Sequence, residues 1–594
     1  MTYAAPIRDW LFVLQEIAGI DAIAGLPGYG DTTSDLVQSV LEEAGKFAGG
    51  VLAPLNRIGD EQGARLENGV VRTPDGFRDA YAKFTEAGWN GMPFDPDYGG
   101  QGLPWAVAAA AQEMMTSANM AFSLCPLLTQ GAVELLQAHG SDAQKRTYLP
   151  NLIHGRWTGT MNLTEPQAGS DVGAVRTRAV RDGPHYRITG QKIFITYGDH
   201  DLAENILHMV LARTPGAPPG VKGISLFIVP KFSVSPDGTL GARNDLRCVS
   251  LEHKLGICGS PTATMAYGDN GGAIGELVGE ENRGIEYMFT MMNNARLSVG
   301  IEGLAVAERA YQQARDYAQV RIQSRAADGD DPTPVPIIRH PDVRRMLMTM
   351  RAQIEAMRAL IAYVAGSVDR ARRHPQATER TRHQAIVDLL TPVAKAWCTD
   401  TGCAVTSTAI QVHGGLGFIE STGAAQHFRD ARIAPIYEGT NGIQAIDLVG
   451  RKLARDGGTA MHALIAAMQT TVEAAGKEDG GQFLAARLDE SIGRLAAATE
   501  SLVGALEWDR MAALAIASPY LALVGTVAGG WLLTQSAVAA RRRRLDAAED
   551  GDYLAAKASI ARFYAAHLLP QAAALAATVL SGGETTLALA EDQF

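Results

Sequence analysis

From Ser34 to Gln62, apolar residues recur at Leu36, Val37, Val40, Leu41, Ala44 and Phe47, the three-and-four spacing of one helix face. The pattern resumes from Phe77 to Ala87 and from Ala106 to Met115, so the first 155 or so residues are expected to be helical. Between them FDPDYGGQGLP, residues 94–104, carries glycines and prolines that cannot propagate a helix and predicts a rigid loop. From about Thr158 to Ala273 the texture changes to short apolar runs, among them Lys192 to Tyr197, Ile206 to Arg213 and Ile224 to Val229, punctuated by Gly, Pro and Asp. These predict a small β domain. No long helical pattern interrupts it, which disfavours a parallel sheet with crossover helices.

Helical spacing returns at Gly284 and runs to about Arg455, broken by a loop from Ala326 to Pro341, and a bundle of long helices is the natural packing for it. After ARDGG (454–458) and GKEDGG (476–481), an alanine-rich helical region reaches Phe594. The expected units are therefore an N-terminal helical domain (1–157), a middle β domain (158–280), a helical bundle (281–457) and an extra helical domain (458–594).

Composition narrows the class. A chain of 594 residues can bury several cores, and 46% apolar with 20% charged residues is that of a soluble globular protein. The net charge of −11 argues against a nucleic-acid partner. Five cysteines, at 125, 248, 258, 398 and 403, form no Cys-x-x-Cys pair and no even framework; reduced thiols in a cytoplasmic protein are expected. The start of the chain, with Asp9 and Glu16, lacks the pattern of a secretory signal. Met511 to Ala540 contains no charge and is followed by Arg541 to Arg544, as a membrane span would be. Pro519, Gly525, Gly529, Gly530 and five Ser, Thr and Gln side chains dilute that run, which suits two small-residue helices inside a soluble bundle better than membrane association.

Neither a dinucleotide-binding G-x-G-x-x-G between strand and helix nor a G-x-x-x-x-G-K-[ST] loop is present, and no metal-ligand spacing surrounds Cys398 and Cys403. Three other segments break regular elements with glycine and small polar residues. MNLTEPQAGSD (161–171) offers hydroxyls and approachable backbone N–H groups. KIFITYG (192–198) places Phe194 and Thr196 on one strand face, an aromatic ring beside a hydroxyl that could flank a planar ring system. PIYEGTNGIQ (435–444) sets Glu438 between helical stretches, where shielding by apolar neighbours would raise its pKa toward that of a working general base. Taken singly, each reads equally as a structural turn, strand or helix end.

In this order, the segments resemble the acyl-CoA dehydrogenase family, over a length running from the N-terminal helices to about residue 455. HGGLGF (413–418), RDARIAPIYEGTNGIQAIDLVGRK (429–452) and the C-terminal extension are most similar to the 3-methylmercaptopropionyl-CoA dehydrogenase subgroup. The resemblance implies a helical N-terminal domain, a middle β-barrel or sandwich and a four-helix bundle, here with an extra helical domain. It implies FAD held by Met161, Leu163, Thr164, Gly169 and Ser170, by Phe194 and Thr196, by Thr440, and, across a subunit interface, by Arg321 and Gln323 in the first bundle helix with Gln411, Gly414 and Gly415. A homodimer or homotetramer follows from that sharing.

Glu438 matches the base that takes the α-proton of an acyl-CoA, with its own backbone N–H as one oxyanion donor, and Ser170, Arg296, Tyr437 and Gly439 match the substrate contacts. The product is a trans-2-enoyl-CoA, and electron-transferring flavoprotein the implied acceptor. The resemblance extends to substrates from 3-methylmercaptopropionyl-CoA to short-, medium- and long-chain fatty acyl-CoA, in β-oxidation or dimethylsulfoniopropionate degradation. An oxygen-using acyl-CoA oxidase and a flavin-free CoA-binding or assembly protein are the alternatives; the presence of Glu438 argues against the second. The chain departs from the family pattern at Asn293, Ser421 and Gly442, where relatives carry an aspartate, an acid and a longer polar side chain.

Overall fold

The structure, a computed structural model, describes residues 3–327, 332–546 and 551–594. In the N-terminal region helix Ser34–Phe47 turns Val37, Leu41 and Ala44 inward and is started by Thr33, whose hydroxyl accepts from Leu36 N. Helices Trp105–Ala118 and Met120–His139, apolar on nearly every side, are buried accordingly. The glycine- and proline-rich stretch between them and the preceding helix is a loop, closed by Gly102 N to Phe94 O at 2.9 Å and Leu103 N to Met92 O at 2.8 Å. One departure from the all-helical expectation is a hairpin pairing Arg65–Glu67 with Val70–Arg72. Its turn is Asn68–Gly69, both left-handed, and an Asn-Gly pair between short runs is the sequence signal for such a turn.

The middle region is an eight-stranded sheet: β1 (Trp157–Asn162), β2 (Arg178–Asp182), β3 (His185–Thr196), β4 (Asn205–Ala212), β5 (Ser225–Pro230), β6 (Leu246–Leu251), β7 (Thr262–Tyr267) and β8 (Ala273–Leu277). The strands lie in the order β6-β7-β3-β8-β5-β4-β1, with β2 on β3, and all pairs are antiparallel except β1 with β4. Tyr186, Ile188, Val210, Phe227 and Met265 fill one core of this sheet.

Three long helices, Gly284–Val320, Pro341–Arg373 and Ala377–His413, form the bundle, with the helical segment from Asn441 to Asp456 as its fourth member. The expected loop from Ala326 to Pro341 is more ordered than its composition suggests. Pro334–Pro336 pairs with Ile322–Arg325, and a turn of 3₁₀ helix, Ile337–Arg339, follows; residues 328–331 of that expectation lie outside the described residues. This corrects the placement of Arg321 and Gln323. The helix ends at Val320, so Arg321 is its cap and Gln323 lies in the strand pair, because the Arg321 carbonyl accepts from Ile337 N instead of continuing the helix.

The uncharged run Met511–Ala540 also differs from the two similar helices expected. It divides at Ile516 into a short helix, Arg510–Ala515, and one long helix, Ala517–Asp546. Pro519 sits in the first turn, where no N–H is needed, and the glycines do not break the helix because they are where it presses closest on its neighbours. A Cβ on Gly525 would lie 2.3 Å from Trp397 and one on Gly529 2.7 Å from the Tyr564 hydroxyl. Ala517–Arg544 and Gly551–Ser581 are long and apolar enough to cross a membrane, but 89% of the apolar window of the first is buried inside the protein.

Where the N-terminal helix, the bundle and the extra domain meet, charges are buried. Arg358 bridges Glu113 at 2.6 Å and Glu308 at 2.8 Å, and Lys557 bridges Asp9 at 2.5 Å and Glu355 at 3.0 Å.

Candidate active site

After helix Ala424–Ala431 the chain makes tight turns, Ile436 N to Ile433 O and Tyr437 N to Ile433 O, and then enters the left-handed region at two successive residues, Glu438 (φ 55°) and Gly439 (φ 79°). Thr440 ends the excursion by capping helix Asn441–Asp447, its hydroxyl accepting from Ile443 N at 3.2 Å. For a non-glycine residue such as Glu438 this backbone is strained, and it persists only where the surroundings hold it. They do. Gln444 Nε2 donates to the Glu438 carbonyl at 3.1 Å, and Lys395 Nζ donates to the Gly439 carbonyl and to Asn441 Oδ1, both at 2.8 Å. Asn441 is tied in turn to Ala396 O and Asp400 Oδ1. The Glu438 N–H donates to no acceptor among the described residues.

Burial pushes the Glu438 carboxyl up to about 7, against the opposing charges of Arg296 and Lys395. Lys395 is itself lowered to about 8 by burial, with Glu438 and Glu302 working the other way. A second acid, Glu302, lies in the same group: burial raises it to about 8, and its Oε2 accepts a short hydrogen bond from the Tyr437 hydroxyl. Arg296 is buried on helix Gly284–Val320, with Nη1 3.4 Å from Asn293 Oδ1 and 3.8 Å from Asp447 Oδ2. Asn293, in place of an acid, thus leaves Asp447 as the nearest carboxylate to that guanidinium.

A second group gathers on the sheet. Met161 is the last residue but one of β1, and the loop after Asn162 is joined to β3 by Ile193 N to Thr164 O at 3.0 Å and by Lys192 Nζ to Leu163 O at 2.9 Å. The register between β3 and β7 slips here, so Ile193 and Phe194 bulge out; Phe194 is left-handed (φ 59°) and 59% exposed, on the same side as Thr196. Glu165 holds the loop from beneath, accepting from Lys192 Nζ, Thr177 Oγ1, Thr177 N and Arg176 N. Burial works to raise its carboxyl, but Lys192 and these donors outweigh it and hold it at about 2. Gly169 and Ser170 are exposed, and a Cβ on Gly169 would meet nothing within 4 Å.

Lys192→Met would strand the Glu165 carboxylate, so a loss of about 3–5 kcal/mol is expected, read as a lower urea midpoint. A midpoint equal to that of the parent would contradict the pairing.

A third group lies at the far end of the bundle. Tyr317 stacks on His413 at 4.6 Å between ring centroids, bringing the Arg321–Gln323 corner beside Gln411, Gly414 and Gly415. Arg321 Nη2 is 3.3 Å from Gln323 Oε1, and Gly414 is left-handed (φ 60°) with open space over it and Gly415. Phe418, 85% exposed, and Val320, 74% exposed, stand beside them. Ser421 lies in the exposed turn Glu420–Thr422, where Glu420 pairs with Arg429 at 2.9 Å. No hydrogen bond joins the Glu438 group to the Thr164–Phe194 group among the described residues.

Lys395, Glu302, Gln444, Asp447 and Glu165 were not reached from the sequence. The available signal was a lone charge inside an apolar run, Lys395 within Leu389–Cys398 and Glu302 within Val299–Ala307.

The domains of the chain match those of known proteins. Residues 36–156, 160–269 and 282–454 match the N-terminal, middle and C-terminal domains described for acyl-CoA dehydrogenases, and residues 464–590 match "Acetyl-CoA dehydrogenase C-terminal like". The chain is 49% identical, over 99% of both sequences, to 3-methylmercaptopropionyl-CoA dehydrogenase of Ruegeria pomeroyi. Butyryl-CoA dehydrogenase of Megasphaera elsdenii is 26% identical with a TM-score of 0.57, covering 70% of this chain and 98% of that one. The Caenorhabditis elegans protein ACDH-11, solved in complex with C11-CoA, has a TM-score of 0.77 over 96% of this chain and 92% of its own; at 22% identity that likeness is one of fold, and it includes the extra helical domain.

Proposed function

The chain belongs to the acyl-CoA dehydrogenase family and carries out α,β-dehydrogenation of an acyl-CoA thioester, and from that premise we propose that Glu438 is the base and that the substrate is 3-methylmercaptopropionyl-CoA or a short acyl-CoA like it. The observation that carries the base is a carboxyl brought up to about 7 on a strained, clamped turn. A thioester α C–H is a weak acid. A carboxylate with a proton affinity near neutrality can take its proton, provided the enolate oxygen meets a donor. The Glu438 N–H, without an acceptor among the described residues, is free to be that donor. Gln444 and Lys395 fix the carbonyls of Glu438 and Gly439, so the turn that carries base and donor is held from its C-terminal side.

The residues present fit an FAD. Thr164 and Thr196 offer half-buried hydroxyls beside the exposed Phe194 ring, and open space lies over Gly169, Gly414 and Gly415, where a bound group can approach backbone. Thr440, while capping its helix through its oxygen, keeps its hydroxyl proton for a phosphate, and Gly442 adds no side chain to compete. When bound, the flavin supplies the acceptor for the hydride that leaves the β carbon. Arg321, Gln323 and Gln411 lie at the ends of helices Gly284–Val320 and Ala377–His413, and the resemblance gives that corner to the flavin of a neighbouring subunit, which is why a partner subunit is part of the reading. Exposed Phe418 and Val320 are the apolar surface such a partner would cover.

For the acyl end, Ser298 Oγ lies 3.4 Å from Gln112 Oε1 one helical turn from Glu302, and Gln112 lines a cavity with Phe84, Trp89, Met92, Met115 and Ser123. Aromatic and methionine walls accept a thioether sulfur well. The reaction needs only a soluble acyl-CoA, and a cytoplasmic enzyme handing electrons to electron-transferring flavoprotein is the corresponding setting.

The test is anaerobic bleaching of the flavin by a panel of acyl-CoAs. The fastest bleaching is expected with 3-methylmercaptopropionyl-CoA or short linear chains, with slow reoxidation in air that electron-transferring flavoprotein accelerates. Fastest bleaching by long chains would overturn the substrate, and rapid peroxide formation would make the protein an oxidase.

A further inference from the structure

The peptide linking Tyr437 to Glu438 makes no backbone hydrogen bond of its own through either the Tyr437 carbonyl or the Glu438 N–H among the described residues. Its orientation decides where the Glu438 N–H points. On the C-terminal side the turn is held by Lys395 and Gln444; on the N-terminal side the tethers are the Tyr437 N–H, which donates to Ile433 O at 3.2 Å, and the Tyr437 hydroxyl, which donates a short hydrogen bond to Glu302 Oε2.

Glu302 is an odd residue for its place. It is 1% exposed on the inner face of helix Gly284–Val320, its other oxygen, Oε1, is buried without a partner, and its neighbours along the helix are apolar. A buried acid with half its hydrogen-bonding capacity unmet is costly, and an apolar residue would pack there at no such cost. The charged and titratable groups that face it are Tyr437 and Glu438 from the turn and Lys395 from helix Ala377–His413.

We propose that Glu302 is the positioning residue of the site: by holding the Tyr437 hydroxyl it fixes the peptide that carries the Glu438 N–H, and with it the direction of the Glu438 carboxylate. This rests on Glu438 being the base. Glu302 touches neither substrate nor flavin; it acts through Tyr437. A secondary effect follows from its acidity. Burial sets its carboxyl near 8, with the Glu438 charge adding to the rise, so Glu302 stays protonated, its Oε2 an uncharged acceptor for Tyr437, over the range in which the base ionises.

The experiment uses the FAD-loaded full-length protein in three variants, Glu302→Ala, Glu302→Gln and Tyr437→Phe, with anaerobic flavin reduction by 3-methylmercaptopropionyl-CoA or butyryl-CoA as the readout. Loss of the tether is expected to slow reduction about tenfold or more in Glu302→Ala and Tyr437→Phe, with acyl-CoA affinity within about threefold and full FAD content. Glu302→Gln keeps an acceptor for the tyrosine and is expected to recover to within about threefold, with the midpoint of the rise of rate with pH near that of the parent, because Glu302 is still protonated where Glu438 ionises.

Reduction by Glu302→Ala and Tyr437→Phe at the parent rate would overturn the proposal. So would a Gln variant as slow as the Ala variant, which would mark a packing role. If Glu302→Ala loses FAD, Tyr437→Phe decides, since it leaves the helix untouched. Failure of the base assignment is seen separately: Glu438→Gln would then reduce normally, and Glu302→Gln would be inert if Glu302 were itself the base.

Discussion

Glu438→Gln is expected to keep FAD and acyl-CoA binding while flavin reduction falls by about 10²- to 10⁴-fold, the usual worth of a positioned general base. The amide fills the same volume and leaves the backbone N–H in place, so the loss isolates proton abstraction from binding. In the parent, only the ionised carboxylate accepts the proton. With the carboxyl raised to about 7, the reduction rate should therefore climb as pH rises through that value and flatten above it.

Stability moves the opposite way. An acid whose folded pKa is raised stays protonated while its unfolded counterpart has already ionised, so the native state loses stability between the ordinary carboxylate value of 4.5 and about 7. The neutral Gln variant escapes that penalty and should be more stable than the parent at pH 8 and no more stable at pH 4. Near-normal flavin reduction in the variant, or a parent rate independent of pH from 6 to 8, would remove Glu438 from the role.

The legibility of this site follows from what each residue answers to. Glu438 could be found because its neighbours Gly439 and Thr440 answer to local backbone demands, a left-handed pair and a helix cap, and such demands are written in adjacent residues. The loop at Met161–Ser170 and the strand carrying Phe194 were visible for the same reason. The bulge at Phe194 was not, since it is fixed by register against β7, seventy residues away in the chain, where Ala263 and Met265 take up the slip. Arg321 and Gln323 were placed inside a helix because the resemblance sets such a pair in the first bundle helix, and the helical reading ran on to the loop at Ala326. What ends that helix is pairing with Pro334–Pro336 on the other side of a turn, a contact that periodicity does not carry. Lys395 and Glu302 were missed for a related reason: one charge in an apolar run reads as a flaw in a core face until its partners, 44 residues on at Gly439 and 135 residues on at Tyr437, are known. The glycines of Ala517–Asp546 misled in the other direction. By propensity they weaken a helix, but here they leave room for the Trp397 and Tyr564 side chains to press against the helix backbone, and that packing decides the outcome.

The largest stability effect is expected at Arg358, remote from the site. Its guanidinium is 1% exposed and gives Nε and Nη2 to the two oxygens of Glu113 at 2.9 and 2.6 Å, with Nη2 also on Glu308 Oε2 at 2.8 Å. Trp10 Nε1 donates to the same Glu113, so the N-terminal helix is docked through this pair. Arg358→Met matches the side chain's length but leaves two carboxylates facing each other without a cation, and a loss of about 3–5 kcal/mol is expected, a large part of the roughly 5–15 kcal/mol that holds a domain folded.

The pH dependence identifies the cause. Burial already pushes the Glu113 carboxyl up, with Arg358 holding it back. Without Arg358 the Glu113 carboxyl moves further up, and a raised acid costs stability as pH climbs above its unfolded value. The deficit of Arg358→Met in urea midpoint should therefore be small at pH 5 and full at pH 8, and adding Glu113→Gln should restore part of it at pH 8 while changing little at pH 5. A deficit equal at both pH values would mean that the arginine's stem, packed where the N-terminal helix meets the bundle, matters more than its charge.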